Sequence, residues 1–153
     1  MANRQPEHEL QSRCIKWFRY QYPHLRRLLF AVPNGGSRPK SEAARMKAEG
    51  VVPGVADIIL LIPNYYYSSL NIEMKAGSSQ REEQKLYELC CKAAGSHYII
   101  CRSLDEFKQA VTGYLDSVNI NILTQLHTLY KSEQDAAVEK AREQFRKIVK
   151  KQS

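Results

Sequence analysis

No C-x-x-C pair occurs anywhere in this chain. Its four cysteines, Cys14, Cys90, Cys91 and Cys101, lie at spacings that suit neither a zinc site nor a disulfide framework. They read as buried, reduced thiols that behave as small hydrophobes. Long apolar runs are missing as well, and none approaches the roughly 18–20 residues of a membrane-crossing helix. The opening residues, Met1 to Pro6, have no apolar centre of the kind a secretion signal needs. An intracellular, cytoplasmic protein without a membrane partner is therefore expected. Internal repeats and low-complexity segments are absent. So are P-loop and Ser-His-Asp patterns, which leaves nucleotide hydrolysis and acyl transfer without support. His8, His24, His97 and His127 are scattered and do not repeat at metal-ligand spacing.

What is present is basic charge with an acidic centre. The net charge is +7 over 153 residues. Residues 1–50 hold ten lysines and arginines against four acids, residues 51–118 hold six against eight, and residues 119–153 hold seven against four. A polyanion would meet phosphate-binding charge on either side of an acidic middle.

Periodicity predicts a helix from Glu7 to Gln21, with Leu10, Cys14, Trp17 and Phe18 on one stripe and Ile15 at its edge. Strands follow over 28–32, 57–62, 70–76 and 97–101. The second and third of these form an antiparallel hairpin joined by a loop containing Tyr65, Tyr66 and Tyr67. Those tyrosines suit base stacking, a partner subunit or partial core packing. Further helices are expected over 41–49, with Gly50 as its stop, and over 80–94. In the latter, Ser79 would cap and Leu86, Leu89, Cys90 and Ala93 would face inward. Another helix runs from a Ser103/Glu106 capping box to about Asp116, with Leu104, Phe107, Val111 and Leu115 inward. From Asn119 onward the chain reads as two helices or one long broken one. The order predicts an α/β fold, a small mixed sheet with helices on both faces.

The chemistry concentrates between Pro53 and Lys75. Pro53-Gly54-Val55-Ala56-Asp57 leads into the apolar run Ile58 to Ile62, and Ile72-Glu73-Met74-Lys75 lies on the next strand. Alternation puts Glu73 and Lys75 on one face, about 6–7 Å apart along the strand, and a hairpin neighbour brings Asp57 alongside. Two close carboxylates repel unless a proton or cation neutralises them. Their hard oxygens suit Mg²⁺ or Mn²⁺, which can prepare water for attack on phosphorus, with Lys75 placed to orient the water or offset developing charge. A surface hairpin with solvated charges is the competing reading. The Asn34-Gly35-Gly36 loop allows close backbone approach to a phosphate, and Arg38, Lys40, Arg45 and Lys47 beyond it can follow a DNA backbone.

Asp57 with Glu73-Met74-Lys75 resembles the PD-(D/E)XK nuclease motif. Glu7-His8-Glu9-Leu10-Gln11, Val32-Pro33-Asn34-Gly35-Gly36, Lys47-Ala48-Glu49-Gly50, Pro53-Gly54-Val55-Ala56-Asp57, Ile72-Glu73-Met74-Lys75 and Glu83-Gln84, in that order over about residues 5–116, resemble the virus-type replication-repair nuclease (VRR-NUC) domain. Ala56 departs from the motif, which has proline there. The resemblance implies a restriction-endonuclease-like core over residues 1–117, with 118–153 a helical C-terminal extension serving as arm, dimer contact or tail. It implies Mg²⁺- or Mn²⁺-dependent phosphodiester hydrolysis, with Asp57 and Glu73 as metal-binding acids and the Met74 carbonyl as a further ligand. Lys75 would be the catalytic lysine, Glu7 the supporting acid of the first helix and Gln84 the glutamine after the motif. Glu9 competes with Glu7, which is favoured because it shares a helix face with Gln11. Gln80 competes with Gln84.

Stand-alone members resemble homodimeric Holliday-junction resolvases. The implied function is therefore a homodimeric endonuclease on branched DNA, with four-way junctions as the substrate, acting in a bacterial host's cytoplasm if the chain is of phage origin. A non-catalytic branched-DNA-binding module and a sequence-specific restriction-type endonuclease are the alternatives.

Overall fold

The computed structural model describes residues 5–33 and 39–152. The elements run α1 (Gln5–Gln21), a 3₁₀ turn (Pro23–Leu25), β1 (Leu29–Ala31), α2 (Lys40–Ala48), β2 (Ile58–Leu60), β3 (Leu70–Met74), α3 (Glu82–Ala93), β4 (His97–Cys101), α4 (Leu104–Leu115) and α5 (Ile120–Gln152). The strands form one sheet in the order β1-β2-β3-β4. β1, β2 and β3 are antiparallel to one another, with Ile58 opposite Ile72. β4 pairs with β3 in parallel, after the crossover through α3. This is the expected α/β mixed sheet with flanking helices and a C-terminal helical segment.

Alternation along β3 decides what each face of the sheet does. Leu70, Ile72 and Met74 join Ile58, Leu60 and Cys101 under α1 and α4, whose Cys14, Phe18, Phe107, Val111 and Tyr114 complete the main core. Fully burying each large apolar side chain there contributes about 1.5–3 kcal/mol. Trp17 meets Phe107 edge-on across the two helices, 6.1 Å between centroids. Tyr114 donates its hydroxyl proton to the Ile62 carbonyl at 2.8 Å. The other face of β3 carries Asn71, Glu73 and, just past the strand, Lys75. All three are buried, so the reading of a hairpin with solvated charges does not hold. α3 covers that face through a smaller cluster of Ala56, Cys91 and Tyr98, with Tyr87 and Ile100 alongside.

α3 corrects the sequence reading in two respects. The helix begins at Glu82, with Arg81 as its cap rather than Ser79. It also lies on its other side: Leu86 and Leu89 are 63% and 62% exposed, and Cys90 and Ala93 are exposed too. Gln84, Tyr87 and Cys91 turn inward instead, because the sheet face beneath is partly polar and gives Gln84 and Tyr87 hydrogen-bond partners. Cys90 is thus not a buried thiol, whereas Cys14, Cys91 and Cys101 are. Tyr65 and Tyr66 are exposed rather than packed in the core, and Tyr67 stacks on His97 at 4.5 Å.

α5 is a single continuous helix of 33 residues. Its first turns place Ile122, Leu123 and Leu126 against the core. Arg26 and Arg27 both meet Glu133. Farther along, Val138 and Phe145 are exposed. No helix among the described residues is long and apolar enough to cross a membrane.

Candidate active site

The site lies where β2 begins and β3 ends, on the sheet face beneath α3. Asp57 immediately precedes β2, and its Oδ2 accepts the Met74 backbone N–H at 2.8 Å. Its own carbonyl accepts the Val32 N–H at 2.9 Å, which ties it to the β1 side as well. The aspartate therefore continues the strand pairing with its side chain at the point where the ladder ends.

Glu73 is 1% exposed. Its Oε1 accepts from the Lys75 ammonium at 3.1 Å and from the Gln84 side-chain amide. Its Oε2 is buried and has no hydrogen-bond partner among the described residues. Burial, followed by the nearby Asp57 charge, pushes the Glu73 carboxyl up to about 7, while Lys75 and Arg81 act in the opposite direction. Asp57 is also raised, chiefly by desolvation and further by Glu7; the Met74 N–H, Lys75 and Arg81 oppose the shift. Both acids are thus held in an environment that disfavours their charge, and the orphaned Oε2 leaves one lone-pair direction unsatisfied. An orphaned oxygen beside a second carboxylate is the donor set a hard divalent cation fits. Among the described residues no group of three or more His, Cys, Asp or Glu side chains is arranged to hold a metal.

Neighbouring elements fix these side chains. Gln84 sits in the first turn of α3, and its Oε1 accepts the Arg81 N–H at 2.9 Å while its amide holds Glu73. Gly54 packs beneath that turn. Its φ is +82°, and a Cβ there would lie 2.4 Å from the carbonyl carbon and oxygen of Glu83. Only glycine lets the Pro53-Gly54 turn approach α3 this closely. Ala56, which stands where the motif has proline, is fully buried in the cluster under α3. Glu7 reaches over from α1, and its Oε1 accepts the Ala76 N–H at 3.2 Å and the Ser78 hydroxyl at 2.8 Å.

The structure therefore brings together Glu7, Asp57, Glu73, Lys75 and Gln84. Glu9 is exposed on α1. Gln80 turns to Glu88 at 2.8 Å and to the Tyr98 hydroxyl at 3.4 Å. Lys40, Arg45 and Lys47 are exposed on α2 outside the hydrogen-bonded cluster, and Arg45 pairs with Glu49 at 3.8 Å. Asn34, Gly35, Gly36 and Arg38 lie outside the described residues. Two participants were not legible in the sequence. Arg81 acts electrostatically on both acids, and Ser78 anchors Glu7. The only signal for Arg81 is its place three residues before Gln84.

No protein-family profile and no curated protein matches the sequence. Among solved structures, one described as a VRR_NUC domain protein matches with a TM-score of 0.65 and 24% identity, covering 74% of this chain and 90% of that one. The chain has the fold of that protein.

Proposed function

We propose that this chain is a divalent-metal-dependent endonuclease that hydrolyses phosphodiester bonds in DNA. The observation that carries the reading is the buried, unpartnered Oε2 of Glu73 beside Asp57, with an ammonium 3.1 Å from the same carboxylate. A purely structural ion pair would satisfy both oxygens. The fold shared with a VRR_NUC domain protein supports the same conclusion.

In this reading Asp57, Glu73 and the Met74 main-chain carbonyl would hold Mg²⁺ or Mn²⁺. The ion, when bound, supplies Lewis acidity at a phosphoryl oxygen and acidifies water. The chain's own groups do the rest. Gln84 and Lys75 fix the Glu73 carboxylate from one side, leaving Oε2 available. Lys75 orients the attacking water or offsets charge at phosphorus. Glu7 holds the Ala76–Ser78 segment that follows Lys75. Arg81, whose charge acts on both Asp57 and Glu73, forms no ion pair among the described residues and suits a substrate phosphate. Asn34, Gly35, Gly36, Arg38, Lys40, Arg45 and Lys47 would follow the DNA backbone. The nuclease unit would span residues 1–117 and the arm 118–153.

Four-way junctions are the proposed substrate. The described residues of one chain form one such centre, so symmetric cutting of a junction calls for two copies about a two-fold axis. The test is a panel of plain duplex, flap, splayed and four-way DNA with Mg²⁺ or Mn²⁺. Asp57→Ala and Glu73→Ala should abolish cleavage and calorimetric Mn²⁺ binding while junction binding persists. A wild-type chain that binds junctions but neither cuts them nor binds Mn²⁺ would be a binding module instead. Cleavage of plain duplex at one sequence would make it a restriction-type enzyme.

A further inference from the structure

α1 turns its apolar stripe into the core and leaves a basic side in solvent. Cys14 and Phe18 are fully buried, and Leu10, Ile15 and Trp17 pack beside them. At roughly 100° per residue the opposite side of the helix carries Glu9, Ser12, Arg13, Lys16, Arg19 and Tyr20, all of them exposed. Arg13, Lys16 and Arg19 form an i, i+3, i+6 row, and Glu9 is the one acid on that side. None of the three bases makes an ion pair among the described residues. By contrast, Arg26, Arg27, Arg45, Lys85 and Lys92 are each held by a carboxylate. Lys108 of α4 adds a fourth positive charge at the edge of the row, 5.8 Å above the Trp17 ring.

The row leads away from the site. Glu7, in the first turn of the same helix, holds Ala76 and Ser78 just beyond Lys75. Arg102 lies at this near end, where it donates to the Ser78 carbonyl at 3.0 Å. Along the axis Arg13 is about 9 Å from Glu7 and Arg19 about 18 Å. Each strand of a duplex presents a phosphate roughly every 3.4 Å of its own axis, so an arm lying along α1 brings several within reach. A bilayer is a poor occupant, because a membrane-surface helix exposes an apolar face, and here the apolar face is in the core.

We propose that the exposed side of α1 is a phosphate track for one duplex arm of the substrate, contacted by Arg13, Lys16 and Arg19. Tyr20, 87% exposed one turn beyond Lys16, adds a hydroxyl donor. The track takes DNA as its occupant from the function proposed above. Such contacts position the arm without reading its sequence.

The experiment is fluorescence anisotropy of a four-way junction and a plain duplex with the full chain in EDTA, between about 50 and 200 mM NaCl. The proteins are wild type, R13Q/K16Q/R19Q and the control K85Q/K92Q/K131Q, which removes the same charge from exposed positions elsewhere. Glutamine keeps the helix propensity of the residues it replaces. The α1 variant should lose roughly tenfold or more in affinity at the lower salt, and about 2–3 from the slope of log affinity on log salt, equally for both DNAs and for any sequence. The control should lose much less. Should the triple variant fail to fold by circular dichroism, each single variant should remove about 1 from the slope. A wild type that binds neither DNA overturns the proposal. So does an unchanged slope, the result expected if an acidic protein is the true partner. A control that loses as much, or a loss confined to the junction, overturns it too. Calorimetric Mn²⁺ affinity should stay at the wild-type value, since Asp57 and Glu73 are untouched. A chain that binds through α1 but neither cuts DNA nor binds Mn²⁺ would keep the track and lose the nuclease reading.

Discussion

Gln84 and Lys75 converge on the same oxygen of Glu73, one from the first turn of α3 and one from the residue next but one along the chain. The other oxygen has no hydrogen-bond partner among the described residues. Removing the glutamine frees the carboxylate to turn and leaves Lys75 as its sole donor among the described residues. Gln84→Ala should therefore weaken Mn²⁺ affinity and cleavage about 10–100-fold, the usual cost of losing a group that orients a metal-binding side chain. Isothermal titration and single-turnover cleavage would measure both. Unchanged values would place Gln84 in the packing alone.

The pH dependence of the metal-free protein follows from the same carboxylate. In the fold Glu73 titrates at about 7, against 4.5 for the free group. The unfolded chain ionises first as pH rises, so stability contributed by the protonated group is fully present below about 4.5 and is lost on the way to about 7. In EDTA, denaturant midpoints should fall between pH 5 and pH 8 by an amount worth on the order of 3 kcal/mol. Glu73→Gln should flatten that dependence and abolish cleavage. A wild-type profile as flat as the variant's would contradict the burial argument.

Gly54→Ala tests the turn that presses on α3. The new methyl group meets the Glu83 backbone at 2.4 Å, in a φ range that L-residues avoid. The expected loss is roughly 2–4 kcal/mol, read as a lowered thermal midpoint. Because the displaced helix carries Gln84, cleavage should fall further than the unfolded fraction explains.

Glu7→Ala removes two hydrogen bonds from the segment after Lys75. A stability cost of about 1–2 kcal/mol is expected, together with lower cleavage. Glu9→Ala, at an exposed position of the same helix, should change neither. Equal effects of the two substitutions would undo the assignment of Glu7.

Much of the centre was legible because its determinants are local. A turn, an aspartate, an apolar run and an alternating strand place Asp57, Glu73 and Lys75 by period-two geometry alone. The four strands fell close to their expected positions for the same reason. The face of α3 was not legible. Leu86, Leu89, Cys90 and Ala93 make the more apolar stripe, and a helix in isolation would bury them. Gln84 and Tyr87 turned inward because Glu73 and Asn71 await them on the sheet, and that polar demand arises only once β3 is paired on both sides. Arg81 was hidden for a similar reason, since its influence on the two acids depends on where α3 starts. The continuity of α5 was missed because the change from an apolar-rich to a charge-rich stretch near Ser132 read as a break, although no proline or glycine interrupts the helix.

The aspartate's grip on the Met74 amide has an evolutionary corollary. Asp57 closes the end of the sheet whether or not any phosphate is ever cut, so a descendant that lost its chemistry would still be under selection to retain it. Glu73 has a weaker second role: its Oε1 holds Lys75 and Gln84, but its buried Oε2 binds nothing among the described residues, and the buried acid costs the bare fold stability. Among distant sequences sharing this architecture, the glutamate is the better marker of a working enzyme, and its replacement by an uncharged side chain should be the first sign of decay.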